Sequence, residues 1–237
     1  MIKLENTEVM GWEAAIRGMR NPMNSWAKSD SYYGGQFSYG LNENVSVSIG
    51  RNDLDLMTRL RNAGTDHRKF MRMITVYADI IAPLYWWKEF DTYKVGTVAN
   101  SCSTMHKIAD KEFTLEDFSH EHLLDNCRGS VAYSSMDVLQ LTINMLNDYR
   151  EKYLEAKDKK YWWQMIQLLP SSYNQIRTVM LNYEVLANIY KSRKNHKLDE
   201  WHTFCDWIEQ LPYSNLITGM ILGADLAHGE DFTGVAK

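Results

Sequence analysis

The sequence predicts an α+β fold in which long helices pack on a small mixed or antiparallel sheet. Several apolar stripes have the spacing of helices, and the few strand-like segments do not alternate regularly with them. The 237 residues are 45% hydrophobic and 24% charged, which is enough to bury a substantial core. We expect one domain over residues 1–237, with a polar insert at about residues 30–49.

The first half of the chain begins with a strand-like segment at residues 2–9. Residues 11–20 follow as a helix, because their apolar side chains fall on one helical face. Residues 21–50 are rich in Asn, Ser, Gly and Tyr, and this turn chemistry predicts an irregular segment. Asn52 is expected to cap a helix that ends at Gly64.

The next elements follow from their apolar patterns. Residues 70–81 mix β-branched and aromatic residues and predict a strand, and a helix begins near Pro83. A long helix is expected over residues 135–157, and a second helix ends at Pro170. Residues 173–183 read as a strand and 185–193 as a helix, and residues 200–211 form a further element with one apolar face.

Composition limits the classes of function. The net charge of -4 gives no electrostatic reason for general binding to nucleic acid or to anionic membranes. No segment approaches the roughly 18 consecutive apolar residues of a membrane span. The start of the chain lacks the pattern of a secretory signal, and the three cysteines, Cys102, Cys127 and Cys205, are odd in number and scattered. We therefore expect a cytoplasmic protein.

Common catalytic motifs are absent from the sequence, including GxGxxG, GxxxxGK[ST], HExxH and CxxC. Cys102 and His106 have the i, i+4 spacing that brings a thiol and an imidazole together on a helix, although chance explains such a pair more easily. His120 and His122 beside acidic residues offer metal ligands, but a solvated acidic helix start is the preferred interpretation. No metal site is predicted.

Two segments carry a resemblance to a known family. They are WWKEFDTYKVGTVANSCSTMHK, residues 86–107, and LLPSSYNQIRTVMLNYEVLANIYKSRKNHKLDEW, residues 168–201. Together they resemble the flavin-dependent thymidylate synthases. Pro170 falls on the family's Leu-Pro pair, Asn182 and Asn188 match two asparagines of the family, and Arg193 matches the arginine of its Leu-Arg pair. His196 matches the family's later histidine only if one residue is deleted.

The earlier segment is a substituted form of the family's Arg-Gln-Trp-Phe-Arg-His-Arg sequence, which ends in RHRxxS. KEFDTYK, residues 88–94, lies over it, and Lys94 is the one cation of RHR that survives. Thr97 falls at the serine of that motif. Cys102 and Thr104 replace a serine and an arginine that help to hold the nucleotide phosphate in the family.

The resemblance implies a homo-oligomer, by analogy a tetramer, that binds FAD between its subunits. Such an enzyme methylates C5 of dUMP with methylenetetrahydrofolate and NADPH. The implied cofactor-binding residues are Thr65, His67, Tyr93, Lys94, Asn182 and Asn188. The implied substrate-binding residues are Lys88, Glu89, Thr97, Cys102, Thr104 and Arg193. Arg193 is also the implied catalytic residue, because its guanidinium would polarise the uracil carbonyl.

The departures from the family's pattern remove positive charge. Thr92 and Thr104 replace arginines, and Glu184 stands where the family commonly has another. Each lost charge-assisted hydrogen bond costs roughly 1.5 to 3 kcal/mol. Either other basic residues rebuild the phosphate site or the ligand differs. The basic residues considered are Arg17, Arg20, Lys94 and Lys107.

Alternative interpretations stay open at this point. Taken singly, Asn182 suits a strand end, Asn188 a polar helix face and Arg193 a helix C-terminus, where the macrodipole favours a cation. Tyr93 either faces a ligand or packs. Four tryptophans are expected in the core or at a subunit interface: Trp86, Trp87, Trp162 and Trp163. The competing functions are a noncatalytic or repurposed nucleotide-binding relative on the same scaffold, and a helical interaction protein whose resemblance is accidental.

Overall fold

The structure, a computed structural model, describes residues 2–39, 42–126 and 132–220. Cys127 lies outside these ranges. So do residues 40 and 41 of the predicted insert, and residues 1 and 221–237 of the predicted domain.

Two sheets account for the described strands. The strands are β1 (Lys3–Met10), β2 (Tyr32–Tyr39), β3 (Asn42–Ser48), β4 (Thr75–Pro83), β5 (Val98–Ser101) and β6 (Asn174–Asn182). The central sheet has the order β1-β4-β6-β5, and β2 pairs with β3 as a separate hairpin. β4 and β6 pair along their whole lengths, from Thr75 opposite Asn182 to Pro83 opposite Asn174. Each of these pairings is antiparallel, so the predicted α+β class is confirmed with an antiparallel sheet.

Nine helices lie within the described ranges, and the longer ones sit close to their predicted positions. They are α1 (Trp12–Arg20), α2 (Arg51–Asn62), α3 (Leu84–Phe90), α4 (Thr104–Lys107), α5 (Ser135–Ala156), α6 (Lys159–Leu168), α7 (Tyr183–Arg193), α8 (Asp199–Gln210) and α9 (Asn215–Thr218). Pro83 ends β4 and is the N-cap of α3, where its fixed φ suits the entry into a helix. None of the helices is both long and apolar enough to cross a bilayer.

The main core lies between the central sheet and α1, α2, α3, α7, α8 and α9. Strand β4 alternates strictly, so that Val76, Ala78 and Ile80 face this core. Trp86 and Trp87 are at most 1% exposed, which confirms the core prediction for both. Trp86 packs 4.8 Å from Trp201 between ring centroids, and aromatic packing therefore fixes α3 against α8.

A second, smaller core joins α5 and α6 to residues 108–118. Leu139, Ile143 and Leu146 of α5 pack with Met165 of α6 and with Phe118. Trp162 is only partly buried against this cluster, and Trp163 remains 43% exposed. Trp163 is therefore not a core residue of the single chain, and its alternative place at a subunit interface stays a prediction.

The predicted irregular segment over residues 21–50 is wrong in its second half, which forms the β2-β3 hairpin. Tyr33 pairs with Val47 and Phe37 with Val45, and both valines are buried. The alternating apolar residues of β3 and the aromatic residues of β2 favour strands. This preference outweighs the tendency of the glycines to disfavour a strand. Gly34 adopts φ +76°, which allows the register shift between Tyr33 and Phe37.

Two predicted boundaries also need correction. Residues Arg68–Arg72 form a 3-10 helix and β4 begins only at Thr75, because a short apolar run suits a buried turn as well as a strand. Asn52 does not cap α2; Gly50 is the N-cap. The Asp30 carboxylate instead accepts hydrogen bonds from the backbone N–H groups of Asn52, at 2.9 Å, and Asp53, at 3.1 Å.

A buried ion pair ties α1 to α2. Arg20 Nε donates to Asp53 Oδ1 at 2.6 Å, and the two side chains are 4% and 0% exposed. The hydroxyls of Ser29 and Ser31 each donate to the other Asp53 oxygen at 2.7 Å. Burial alone raises the pKa of Asp53, but the hydrogen bonds from Ser31, Ser29 and Arg20 outweigh it and hold the pKa below its ordinary value.

Candidate functional site

The candidate site is organised by α7, which follows β6 without a loop. Asn182 is the last residue of β6 and the N-cap of α7, and its Oδ1 accepts the Val185 N–H at 3.0 Å. An Asn at this position satisfies a backbone donor that the helix leaves free. The amide is 8% exposed and therefore has a structural task besides any contact with a ligand.

Residues 88–97 lie along one side of α7. At the start of the helix, Asn182 Nδ2 lies 3.5 Å from the Gly96 carbonyl, and Gly96 has φ +78°. A Cβ at Gly96 would lie 2.8 Å from Asn182 Nδ2, so only glycine fits this approach. At the end of the helix, Tyr93 touches Arg193. The fold thus brings together the two segments that carry the sequence resemblance.

Arg193 is held in a partly buried cluster. Its Nε donates to the Tyr93 hydroxyl at 2.8 Å, and its Nη1 donates to Glu89 at 2.7 Å. The same Glu89 oxygen accepts Trp201 Nε1 at 3.2 Å and lies 3.4 Å from His196 Nε2. The Arg193 and Glu89 side chains are 18% and 35% exposed. A ligand that binds the guanidinium must therefore compete with Glu89.

Glu184 recruits two arginines that the sequence analysis did not identify. Arg68 Nε donates to Glu184 at 3.0 Å, Arg72 Nε donates to its other oxygen, and Arg68 Nη2 donates to Asn188 Oδ1 at 3.3 Å. Burial raises the pKa of Glu184, but the hydrogen bonds and charges of Arg72 and Arg68 more than offset it and lower the pKa. Although Glu184 stands where the family commonly has an arginine, the cluster of Glu184, Arg68 and Arg72 therefore keeps a net positive charge. The available signal was the i, i+4 pair of arginines in RKFMR.

The three residues Asn182, Asn188 and Arg193 do not line one crevice within a single chain. Eleven residues make about three turns, so Asn182 and Arg193 face the same side of α7, roughly 16 Å apart. Buried Val185 and Ile189 occupy that side between them. Asn188 points to another side and lines a separate cavity with Arg68.

The remaining predicted site residues lie elsewhere around α7 and the neighbouring strands and helices. Thr97 follows Gly96, and its hydroxyl is buried without a hydrogen-bond partner among the described residues. Cys102 and Thr104 flank the start of α4, where the Cys102 N–H donates to the Ile176 carbonyl at 3.0 Å. The other predicted residues have exposed side chains: Thr65, His67, Lys88 and Lys94.

Solved structures of two enzymes share this architecture. A flavin-dependent thymidylate synthase ThyX from Helicobacter pylori, complexed with FAD and dUMP, has a TM-score of 0.64 at 15% identity, covering 92% of this chain and 98% of its own. A UMP/dUMP methylase PolB from Streptomyces cacaoi, bound with 5-Br dUMP, has a TM-score of 0.53 at 12% identity, covering 88% of each chain. No protein-family model and no curated protein matches the sequence.

The chain has the ThyX fold. In this ThyX fold, three of the four basic residues considered for a phosphate site already have acidic partners. Arg20 is buried against Asp53, Lys107 pairs with Asp110 at 2.8 Å, and Arg17 lies 3.5 Å from Glu13.

The sequence analysis also missed Arg177, a basic residue of β6. Its Nη1 donates to Asp91 at 2.7 Å, and its guanidinium lies 4.2 Å from the centroid of the Trp87 ring. The sequence signal for this residue was a single charge inside an otherwise uncharged strand.

The weaker catalytic and metal patterns do not assemble. α4 begins at Thr104, so Cys102 and His106 do not share a helical face. His120 lies against the Phe118 carbonyl, and His122 lies 3.1 Å from Asp199. Among the described residues, no group of three or more His, Cys, Asp or Glu side chains is placed to hold a metal ion.

Proposed function

We propose that the chain is a flavin-dependent thymidylate synthase-like enzyme. Its reaction would be the reductive C5 methylation of dUMP or a related pyrimidine nucleotide, with FAD, reduced nicotinamide and methylenetetrahydrofolate. The observation that carries the proposal is the placement of residues 88–97 along α7, within a fold whose solved examples include a ThyX complexed with FAD and dUMP. This placement puts Tyr93 and Glu89 at the guanidinium of Arg193.

Several features of the chain fit a flavin. The Thr97 hydroxyl is buried without a hydrogen-bond partner among the described residues, as a group that a ligand satisfies would be. Arg68 and Asn188 supply polar groups at a second position on α7. Because these groups do not share one crevice in a single chain, we place the cofactor between subunits of a homotetramer. When bound, FAD would supply the redox and transfer chemistry, with the hydride coming from reduced nicotinamide and the carbon from methylenetetrahydrofolate.

Arg193 has the central role in the proposed reaction. Its guanidinium would donate to a pyrimidine carbonyl and stabilise negative charge that develops on the ring. Tyr93 and Trp201 hold it in place: the Tyr93 hydroxyl accepts a hydrogen bond, and the Trp201 ring centroid lies 4.8 Å from the guanidinium carbon. Glu89 must give up its ion pair, at least in part, when the nucleotide binds.

A noncatalytic nucleotide-binding relative is the second candidate, and a specific observation favours it. Glu89 neutralises Arg193, and Thr92 and Thr104 stand where arginines would hold phosphate. A protein with this site would bind a pyrimidine nucleotide more weakly, without methylating it.

Purified full-length chain distinguishes the two candidates. After incubation with FAD and removal of the excess, we expect the absorbance of an oxidised flavin. Methylated nucleotide should form, by mass spectrometry, when dUMP, NADPH and methylenetetrahydrofolate are added. Arg193→Ala should abolish the product, whereas Arg59→Ala, an exposed arginine of α2, should not. Chain that takes up no FAD contradicts the enzyme, and binding of dUMP by such chain supports the second candidate.

The same preparation tests the assembly. Light scattering coupled to size-exclusion chromatography should give the mass of a tetramer. A monomer that still retained FAD would contradict the placement of the flavin between subunits.

A further inference from the structure

A separate cavity lies between α2 and α9. Its volume is about 530 Å³, which is within the usual range of small-molecule pockets. Among the described residues, Arg61 is the one that lines both this cavity and the cavity that Asn188 and Arg68 line. The residues that line it have no part in the proposed reaction, so it is a second place where a ligand could bind.

One wall of this cavity is a single face of α2. Arg51, Leu54, Thr58 and Arg61 line it, and their spacing of three or four residues places them on one side of the helix. The wall extends over roughly 15 Å, because each residue of an α-helix adds 1.5 Å. An arginine therefore stands at each end, with an apolar side chain and a hydroxyl between them.

Apolar side chains from both helices meet in the cavity. Leu216 of α9 is 1% exposed and Leu54 of α2 is half-buried, whereas Met220, two residues after α9, is 51% exposed. A ligand with an apolar body would remove Met220 and Leu54 from water, which favours binding.

Arg61 brings a cation to the cavity. Its Nε and Nη2 donate to the carbonyls of Leu216, at 3.3 Å, and Ile217, at 3.2 Å, and its Nη1 donates to Asn62 Oδ1 at 3.0 Å. A guanidinium has five N–H groups, so one on each terminal nitrogen remains available. Burial, together with the charge of Arg68, lowers the pKa of Arg61, and an anion would offset both effects.

Gly219 places both terminal nitrogens of Arg61 at the lining. A Cβ at Gly219 would lie 2.3 Å from Arg61 Nη2 and 2.5 Å from Nη1, so the guanidinium lies directly against this lining residue. Gly219 has φ +74°, which a residue with a side chain adopts only with strain. The two remaining N–H groups match the two oxygens of a carboxylate.

The charges of the lining favour an anion over a cation. The charged lining residues are Arg51, Arg61 and Asp55. Asp55 pairs with Arg59 at 2.9 Å, so its negative charge is already balanced. Arg61, in contrast, has only neutral oxygens as hydrogen-bond acceptors among the described residues. A ligand with a negative charge at one end of an apolar body therefore fits this cavity.

We propose that the cavity between α2 and α9 binds an amphipathic carboxylate of the fatty-acid class. The carboxylate pairs with the terminal nitrogens of Arg61, and the apolar chain lies against Leu54, Leu216 and Met220. This site goes beyond the proposed function, because it requires neither the flavin nor the nucleotide.

Calorimetric titration of decanoate into the full chain, at neutral pH and below its micelle concentration, tests the site. Decanoate should bind saturably. Decanol has the same chain without the charge and should bind about tenfold more weakly, because it lacks the charge-assisted hydrogen bonds to Arg61. No saturable binding of decanoate, or equal binding of the two ligands, overturns the proposal.

Two variants with matched controls locate the site. Arg61→Gln should weaken decanoate about tenfold and leave decanol unchanged, whereas Lys152→Gln, which removes an exposed charge on α5, should change neither. Met220→Ala should weaken both ligands about threefold, whereas Met23→Ala, which removes an 82% exposed methionine elsewhere, should weaken neither. Because Met220 is half-exposed, its replacement tests the site even if Arg61→Gln does not fold. Equal binding by the two methionine variants overturns the proposal.

Titration of decanoate in the presence of FAD separates this site from the proposed enzyme. If FAD leaves decanoate binding unchanged, the two ligands occupy separate cavities, as proposed. If FAD displaces decanoate, the cavity belongs to the cofactor and the proposal fails. If the chain takes up no FAD but binds decanoate with the pattern above, the proposed enzyme fails and this site stands.

Discussion

Two arginine-carboxylate pairs in this molecule have the same chemistry and different surroundings. Arg20 and Asp53 are 4% and 0% exposed, and the second carboxylate oxygen of Asp53 is satisfied by Ser29 and Ser31. Arg193 and Glu89 are 18% and 35% exposed, beside Tyr93 and Trp201. The first pair is closed to solvent and fixes two helices. The second is partly exposed to solvent, so a ligand can compete with Glu89 for Arg193.

Asp53→Asn should break the closed pair and have the largest effect on stability. It leaves the Arg20 guanidinium buried without a counter-charge, which costs about 3–5 kcal/mol. Urea unfolding at neutral pH measures the loss. Asp55→Asn is the control, because Asp55 lies on the same helix but is 63% exposed, and it should change stability by less than about 1 kcal/mol. Equal losses in the two variants would show that burial does not distinguish them.

Glu184→Gln tests a pair of intermediate exposure. It leaves Arg68, 20% exposed, and Arg72, 48% exposed, without their carboxylate, at a cost of about 1–3 kcal/mol near neutral pH. The pKa of Glu184 is lower in the folded chain than in the unfolded chain. Its contribution is therefore complete above the unfolded pKa of about 4.3 and is lost as the pH falls through the folded pKa.

Unfolding free energies measured from pH 7 downwards check that sign. The difference between the parent and Glu184→Gln should narrow below about pH 4.3. A difference that stays constant, or widens, on acidification would contradict the assigned ionisation of Glu184.

Elements with a local apolar pattern could be predicted from the sequence, whereas ion pairs and caps between distant residues could not. The longer helices and the strands β4 and β6 follow from their apolar patterns, because each buries apolar side chains on one face. The Asp30 carboxylate that caps α2 lies 22 residues from Asn52, so no local pattern reveals it. The partners of Glu184 lie 112 and 116 residues away for the same reason. Partners that are distant in sequence are brought together only by the fold. Helix caps, in contrast, are predicted from the residues next to the helix end, so a cap from a distant residue is missed.

Glu89→Gln should open the second pair with little effect on the fold. Because Glu89 is 35% exposed, the loss of stability should stay below about 1 kcal/mol. The freed Arg193 should bind dUMP up to about tenfold more tightly, as measured by calorimetry. Asp158→Asn is the matched control, because it removes one exposed negative charge on α6. Tighter binding by both variants would indicate a general effect of net charge, and not a release of Arg193.

Arg59→Ala should have the smallest effect. Arg59 and Asp55 form an i, i+4 pair on α2 at 2.9 Å, with side chains 69% and 63% exposed. Such pairs contribute about 0.3–0.5 kcal/mol, and salt screens them. Thermal unfolding at low and high salt should detect at most this difference. A larger loss would place Arg59 in an interaction with residues outside the described ranges or with another copy of the chain.

The β2-β3 hairpin leaves and rejoins the rest of the chain at nearly one point. Tyr32 pairs with Ser48, Ser31 Oγ accepts the Gly50 N–H at 3.1 Å, and the Asp30 carboxylate holds the start of α2. A segment whose two ends lie close together can be lengthened at an entropic cost of only about 0.6 kcal/mol for each doubling of its length. Proteins of this architecture can therefore differ in chain length here without moving their helices, and a foreign domain could be spliced into this position.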